Sequence, residues 1–179
     1  VALTKTAVVA SALELLRESG LPGMSMRTLA TRLGVQPSAL YWHVPSKQAL
    51  LTAVAEQVLG RVGAVDAESS ATGELRAIGV SLRDAVTGVP DGAEIVALGL
   101  AAGAENPVAN AVHAACARHG LEERGPGLTT ALTGYVIGLS LEEQTHHNLR
   151  VADPETPAVD FRPRFESGLN ALLAGCVAG

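Results

Sequence analysis

At 179 residues the chain is long enough for one large domain or for two small ones sharing a core. It is 47% hydrophobic but only 3% aromatic, a balance that suits close-packed helices better than sheets, which favour β-branched and aromatic residues. No apolar run approaches the roughly 18 residues of a membrane span, no leader pattern opens the chain, and Cys116 and Cys176 alone imply no disulfide framework. The expectation is a cytoplasmic protein with no membrane association. The net charge of −5 hides a division. Residues 1–61 hold six basic and three acidic side chains, net +3, including both lysines, Lys5 and Lys47. Residues 62–179 hold seven basic and fifteen acidic ones, net −8. A basic head on an acidic body is the asymmetry expected of a nucleic-acid-facing segment.

In chain order, Thr4 caps a predicted helix through about Glu18, with Val8, Ala12, Leu15 and Leu16 at helical spacing and Gly20 with Pro22-Gly23 as its stop. Ser25 caps a short helix, Met26 to Leu33, and Gly34 follows as a turn. Gln36-Pro37 opens another short helix, Pro standing where its missing N–H costs nothing. Pro45-Ser46 ends that helix and caps a longer one, through about Arg61. After the polar stretch Asp66 to Gly73, helices are predicted over about Glu74–Val86, Glu94–Leu100, Pro107–Arg118, Pro126–His147 and Arg162–Cys176. Gly88 to Gly92 and Asp153 to Asp160 read as breaks. The fold class is all-α with about nine helices: a three-helix helix-turn-helix domain at 1–61, then a helical body at 62–179.

At 100° per residue, Leu40 and Val44 fall within about 40° of each other and anchor the inner face of the second short helix. Ser38 and Trp42 then lie about 160° from Leu40, with Tyr41 on the flank. A Trp and a Tyr turned outward on a short helix have no core to fill, which calls for a partner. Lys47, in the first turn of the next helix, opposes the helix dipole, yet with free backbone N–H groups it makes a phosphate clamp. Arg27 can reach a base edge.

The string Leu33-Gly34-Val35, then Leu40-Tyr41-Trp42-His43-Val44, then Lys47 and Ala49-Leu50-Leu51, resembles the DNA-binding signature of the tetracycline-repressor-like family. The resemblance covers about residues 4–60, including Ala12 to Leu16. It implies that Arg27, Gln36, Pro37, Ser38, Tyr41, Trp42, His43 and Lys47 face a double-stranded DNA operator, although the wheel turns His43 towards the core side.

The resemblance resumes at Thr133 to Gln144, where Gly138 to Gln144 is similar to the matching helix of tetracycline repressors. It implies a homodimer formed through helix 126–147 and the C-terminal helix. Gly134 and Gly138 add a smooth stripe, which packing within one subunit fits equally well, and Leu169, Leu172 and Leu173 demand burial. A small-molecule effector pocket among the middle helices would be lined by Leu82, Val86, Ile95, Leu98, Val112, Leu132 and Tyr135, with His113, Glu142 and His146 among its polar groups. By the resemblance Glu142 matches the acidic residue that reaches a drug-bound magnesium through water, yet magnesium-tetracycline is not the inducer expected, on two grounds. The segment Asp91 to Val96 resembles one that in tetracycline repressors ends in a magnesium-ligating His, and Val96 cannot ligate. The His-rich segment after the fourth helix is replaced by Arg61-Val62-Gly63-Ala64-Val65. Glu142, Glu143, His146 and His147 pair at four-residue spacing, but two ligands per face make no zinc site. No metal or cofactor is expected, and no catalytic motif is present. The expected function is a repressor released from a palindromic operator by a small molecule. The alternatives are effector-promoted or effector-free DNA binding, or a small-molecule-binding helical protein with a vestigial head.

Overall fold

The computed structural model describes residues 3–62 and 70–177. Among them the chain forms nine α-helices and no strand: α1 (Lys5–Gly23), α2 (Met26–Leu33), α3 (Pro37–Tyr41), α4 (Lys47–Leu59), α5 (Ala71–Thr87), α6 (Gly92–Ala101), α7 (Pro107–Arg118), α8 (Gly125–Ala152) and α9 (Phe161–Val177), with a 3₁₀ turn at Glu122–Arg124. The all-α reading holds. The boundary expected after residue 61 adjoins residues 63–69, which lie outside the described residues, as does much of the polar stretch at 66–73.

The helix ends follow side-chain chemistry. Thr4 Oγ1 accepts from the Ala7 N–H at 3.1 Å, Ser46 Oγ from Ala49 at 3.0 Å and Ser70 Oγ from Gly73 at 3.1 Å. Ser25 and Thr28 cap α2 reciprocally, each hydroxyl accepting the other's backbone N–H at 3.0 and 2.9 Å, which satisfies two otherwise orphaned donors. Gly34 closes α2 at φ 66, ψ 30, a left-handed conformation that Gly adopts without strain. Within α1, Gly20 at φ 62, ψ −174 kinks the helix, and only a short turn with Pro22 follows.

Besides α1, which runs through its kink to Gly23 instead of ending near Glu18, three boundaries differ from expectation. α3 ends at Tyr41, and Trp42 to Val44 form a closing turn in which the His43 and Val44 N–H groups both donate to Leu40 O at 2.9 Å. Pro45 denies its predecessor the helical conformation. α5 starts at its Ser70 cap, three residues early. α8 runs five residues past His147, because nothing in Asn148 to Ala152 breaks a helix before Asp153-Pro154.

One apolar core runs through the molecule, from Val8, Ala12, Leu16, Leu29, Leu40 and Leu50 in the first four helices to Leu82, Ile95, Val112, Leu132 and Leu169 in the rest. Helices α1–α4 form the head, and α5–α9 pack as the body, with α8 in contact with α5, α6, α7 and α9. Leu169 and Leu173 of α9 are fully buried and Leu172 half-buried, so that helix satisfies its leucine face within the chain. Cys116 is a free buried thiol whose pKa burial pushes up. No helix among the described residues is long and apolar enough to cross a membrane.

Candidate nucleic-acid interface

Leu40 and Val44 are buried and hold the inner side of α3 and its closing turn against the head core. The opposite side faces solvent: Trp42 is 89% exposed and Tyr41 48%. An indole left almost wholly in water forgoes roughly 1.5–3 kcal/mol of burial, so folding alone does not explain it. Gln36, Pro37 and Ser38 at the start of α3, Arg27 in the first turn of α2 and Lys47 in the first turn of α4 are all exposed as well. His43 is half-buried, in keeping with its wheel position.

The charges are sorted by their partners. Arg32 closes α2 against α1 through Glu18 at 2.6 Å and Glu14 at 3.2 Å, and those hydrogen bonds raise its pKa. Among the described residues, Arg27 and Lys47 make no ion pair. Glu14 and Glu18 are thus engaged between α1 and α2, while the two unpaired cations open the helices that precede and follow α3. Free cations beside exposed aromatic rings on a short helix are suited to a phosphate backbone and base edges.

The head reaches the body through α6. Gly99 lies against α4, where a Cβ on it would come within 2.3 Å of Ala55 Cβ. The turn before α6 reaches α1: Asp91 Oδ2 accepts from the Leu21 N–H at 2.7 Å, and Oδ1 accepts from Asn148 Nδ2 of α8 at 3.2 Å. Gln144 of α8 fixes the same turn, its Oε1 accepting from Ala93 N–H at 3.0 Å and its Nε2 donating to Val89 O at 2.8 Å. A cleft of about 810 Å³ opens at this seam, lined from the head by Arg17 and Pro22, from the turn by Pro90 and Asp91, and from α8 by His147 and Val151 among others. None of this was expected from sequence. In the sequence Asp91 marks only a chain break and the start of a segment lacking a metal ligand, and a contact across 70 residues leaves no local pattern.

The predicted effector-lining residues divide between the core, the surface and the α8–α9 packing. Leu82, Val86, Ile95, Val112 and Leu132 are fully buried, with no water-accessible surface. Leu98 is 38% exposed on α6, and His113 is exposed on α7. Glu142 pairs with Arg164 at 2.8 Å on the surface. Tyr135 donates to Phe165 O at 2.9 Å, and His146 sits edge-on to Phe161, so both serve the α8–α9 packing. Glu143 binds Arg83 at 2.7 Å. No three His, Cys, Asp or Glu side chains among the described residues are placed to share a metal ion. Val96 is fully buried.

Comparison with known proteins agrees with this geometry. Residues 8–54 match the family described as bacterial regulatory proteins, tetR family. The chain is 35% identical to tetracycline repressor protein class G of Vibrio anguillarum, over 97% of this chain and 93% of that protein. Its fold is similar to the crystal structure of BioQ with its natural double-stranded DNA operator, with a TM-score of 0.84, 30% identity and coverage of 99% of this chain and 100% of that one. It is also similar to a tetracycline repressor variant from Acinetobacter baumannii AYE in complex with minocycline, with a TM-score of 0.80, 34% identity and coverage of 97% and 96%. A helix-turn-helix head, an outward aromatic helix and identity sustained over nearly the full length lead to one conclusion: the chain belongs to the tetR family of bacterial regulatory proteins.

Proposed function

We propose that this chain is a ligand-responsive transcriptional repressor. It binds a palindromic operator as a homodimer and is released by a small-molecule inducer other than magnesium-tetracycline. Residues 1–61 act as the reader and 62–179 as the sensing and dimerising body. The observation that carries the reading is the near-complete exposure of Trp42 beside Tyr41, flanked by Arg27 and Lys47. Arg27, Gln36, Pro37, Ser38, Tyr41, Trp42, His43 and Lys47 form the DNA surface. The BioQ–operator complex supports a duplex as partner, and the minocycline complex supports a body that takes a small molecule.

Dimerisation is supported by α8, where Gly134 and Gly138 stand open with no neighbour within 4 Å of an added Cβ and Leu141 is 41% exposed. Close helix approach across such a stripe would set two heads about one DNA turn apart, roughly 34–36 Å. The leucines of α9 no longer argue for it. That helix would contribute its exposed Ala171, Ala174 and Gly175.

The closed packing of Leu82, Val86, Ile95, Val112 and Leu132 favours a second reading, in which an effector promotes DNA binding or none is needed. Under the first reading these helices must part to admit a ligand, and the ligand's preference for the parted state, about 1–3 kcal/mol, sets the loss of DNA affinity.

The test is selection of duplexes from a random pool, followed by titration into the protein with Trp42 fluorescence as signal. Trp42 is the sole tryptophan. The proposal expects a palindromic consensus, a fluorescence change on binding and affinity that falls steeply with salt. A chain that enriches no sequence and leaves the fluorescence unmoved is no repressor.

A further inference from the structure

We infer that Asp91 is a positioning residue for DNA reading: its carboxylate latches the kink of α1 to the body and so sets the angle of the head. The inference rests on the DNA-reading proposal above.

Asp91 stands at the N-cap of α6, where an aspartate ordinarily turns its carboxylate back onto the first N–H groups of its own helix. Here it makes no such bond. Both oxygens face other elements, Oδ2 towards Leu21 N–H in the head and Oδ1 towards Asn148 on α8. Its backbone, at φ 55, ψ 19, is the only left-handed non-glycine conformation among the described residues. Strain of that kind persists only where surrounding contacts over-determine it. The facing residue is shaped to match. Gly20 is also left-handed, at φ 62, and a Cβ there would lie 2.8 Å from Asp91 Oδ2. A carboxylate diverted from its own helix thus meets a glycine that makes room for it.

The consequence is geometric. α6 touches the head twice, through Gly99 on α4 and through Asp91 on the α1 kink, while Gln144 and Asn148 tie the start of α6 to α8. The packing of α4 along α6, with a smaller contact to α5, holds one side of the head, and the Asp91 bond to the α1 kink holds a second helix, so the two together set the tilt of the head. A shift of α8 against α6 therefore reorients the recognition helix instead of merely loosening the head.

The experiment compares the native chain with Asp91→Gly, Asp91→Asn and Asn148→Ala. Glycine suits the same backbone without strain, so Asp91→Gly removes the carboxylate while keeping the turn. Asparagine tolerates that backbone too and keeps an acceptor for Leu21. Duplexes selected by the native chain are remade with their half-sites moved by one base pair either way.

The native chain is expected to prefer its selected spacing about tenfold, within the usual range of coupling. Asp91→Gly should bind the same half-sites with that preference reduced below about threefold, and exchange of the Leu21 amide should accelerate at least tenfold. Asp91→Asn should keep most of the preference, and Asn148→Ala should fall between. Unchanged spacing preference in Asp91→Gly overturns the latch, as does loss of half-site recognition in both Asp91 variants or indifference to spacing in the native chain. Should the native chain select no duplex, the DNA-reading proposal fails instead. Leu21 exchange then decides the latch alone: acceleration in Asp91→Gly upholds the head–body bond, and no change refutes it.

Discussion

A Cβ placed on Gly99 would stand 2.3 Å from that of Ala55, so α6 and α4 cross where not even a methyl group fits. Gly99→Ala should therefore destabilise the protein although alanine favours a helix by about 1 kcal/mol over glycine. Both atoms belong to rigid helical backbone, and overpacking of this kind costs about 1–3 kcal/mol. Thermal denaturation should show the melting temperature falling by a few degrees. The double variant Gly99→Ala with Ala55→Gly, which moves the methyl group to the other side, should recover most of the loss.

The DNA surface should separate binding from folding. Trp42→Ala removes an exposed side chain and is expected to change stability by less than about 0.5 kcal/mol. It should nonetheless weaken operator binding at least tenfold. Lys47→Ala should weaken binding evenly across sequences and reduce the salt slope of log K by about 1. Equal salt slopes for the native and Lys47→Ala chains would remove Lys47 from the backbone contact.

Acid should strain one particular joint. Glu74 of α5 is 1% exposed and receives Arg118 Nη2 at 2.6 Å and His119 Nε2 at 3.1 Å from the end of α7. The Arg118 hydrogen bonds hold its carboxyl below the ordinary value near 4.5, against burial, which pushes it up, and the His119 contact adds to the lowering. A carboxyl depressed in the folded state contributes stability that is present above its unfolded pKa and is lost as pH falls through the folded one. Melting temperature should drop on acidification below about pH 4.5. Glu74→Gln should flatten that limb and lower stability at neutral pH. Parallel acid limbs in the two proteins would show that the joint plays no part.

Ser140 offers a case in which removing a polar group helps. It is 1% exposed, and its Oγ has no hydrogen-bond partner among the described residues. A buried unsatisfied hydroxyl costs about 1–3 kcal/mol, part of which returns when it is deleted. Ser140→Ala is expected to stabilise by up to about 1 kcal/mol, measured by urea denaturation. Net destabilisation would mean that the hydroxyl has a partner in solution.

The head was legible because its signals are local. Ser25, Gly34 and Ser46 cap or stop helices within three or four residues, and a five-residue helix has one inner side, which Leu40 claims. Trp42 therefore had to point outward. The body was legible only as helices. An apolar residue such as Ile95 or Val112 predicts burial equally well beside a ligand cleft or in close packing, and here both are fully buried. Leu169 and Leu173 called for a buried face without saying whether this subunit or another supplies it. The joints between elements were invisible for a related reason. Gly99 has no meaning until Ala55 stands opposite, nor Glu74 until the end of α7 swings round to it.

The length of α8 carries a last consequence. Its open glycines and the residues that grip the start of α6 lie on one unbroken rod of 28 residues, with Gly134 and Asn148 roughly 21 Å apart along the axis. In the proposed dimer, a tilt of α8 by about 5° at its open glycines would carry the Asn148 end about 2 Å against α6, more than a hydrogen bond tolerates. A change in how α8 meets its counterpart is thereby levered along one helix onto the joint proposed to aim the recognition helix.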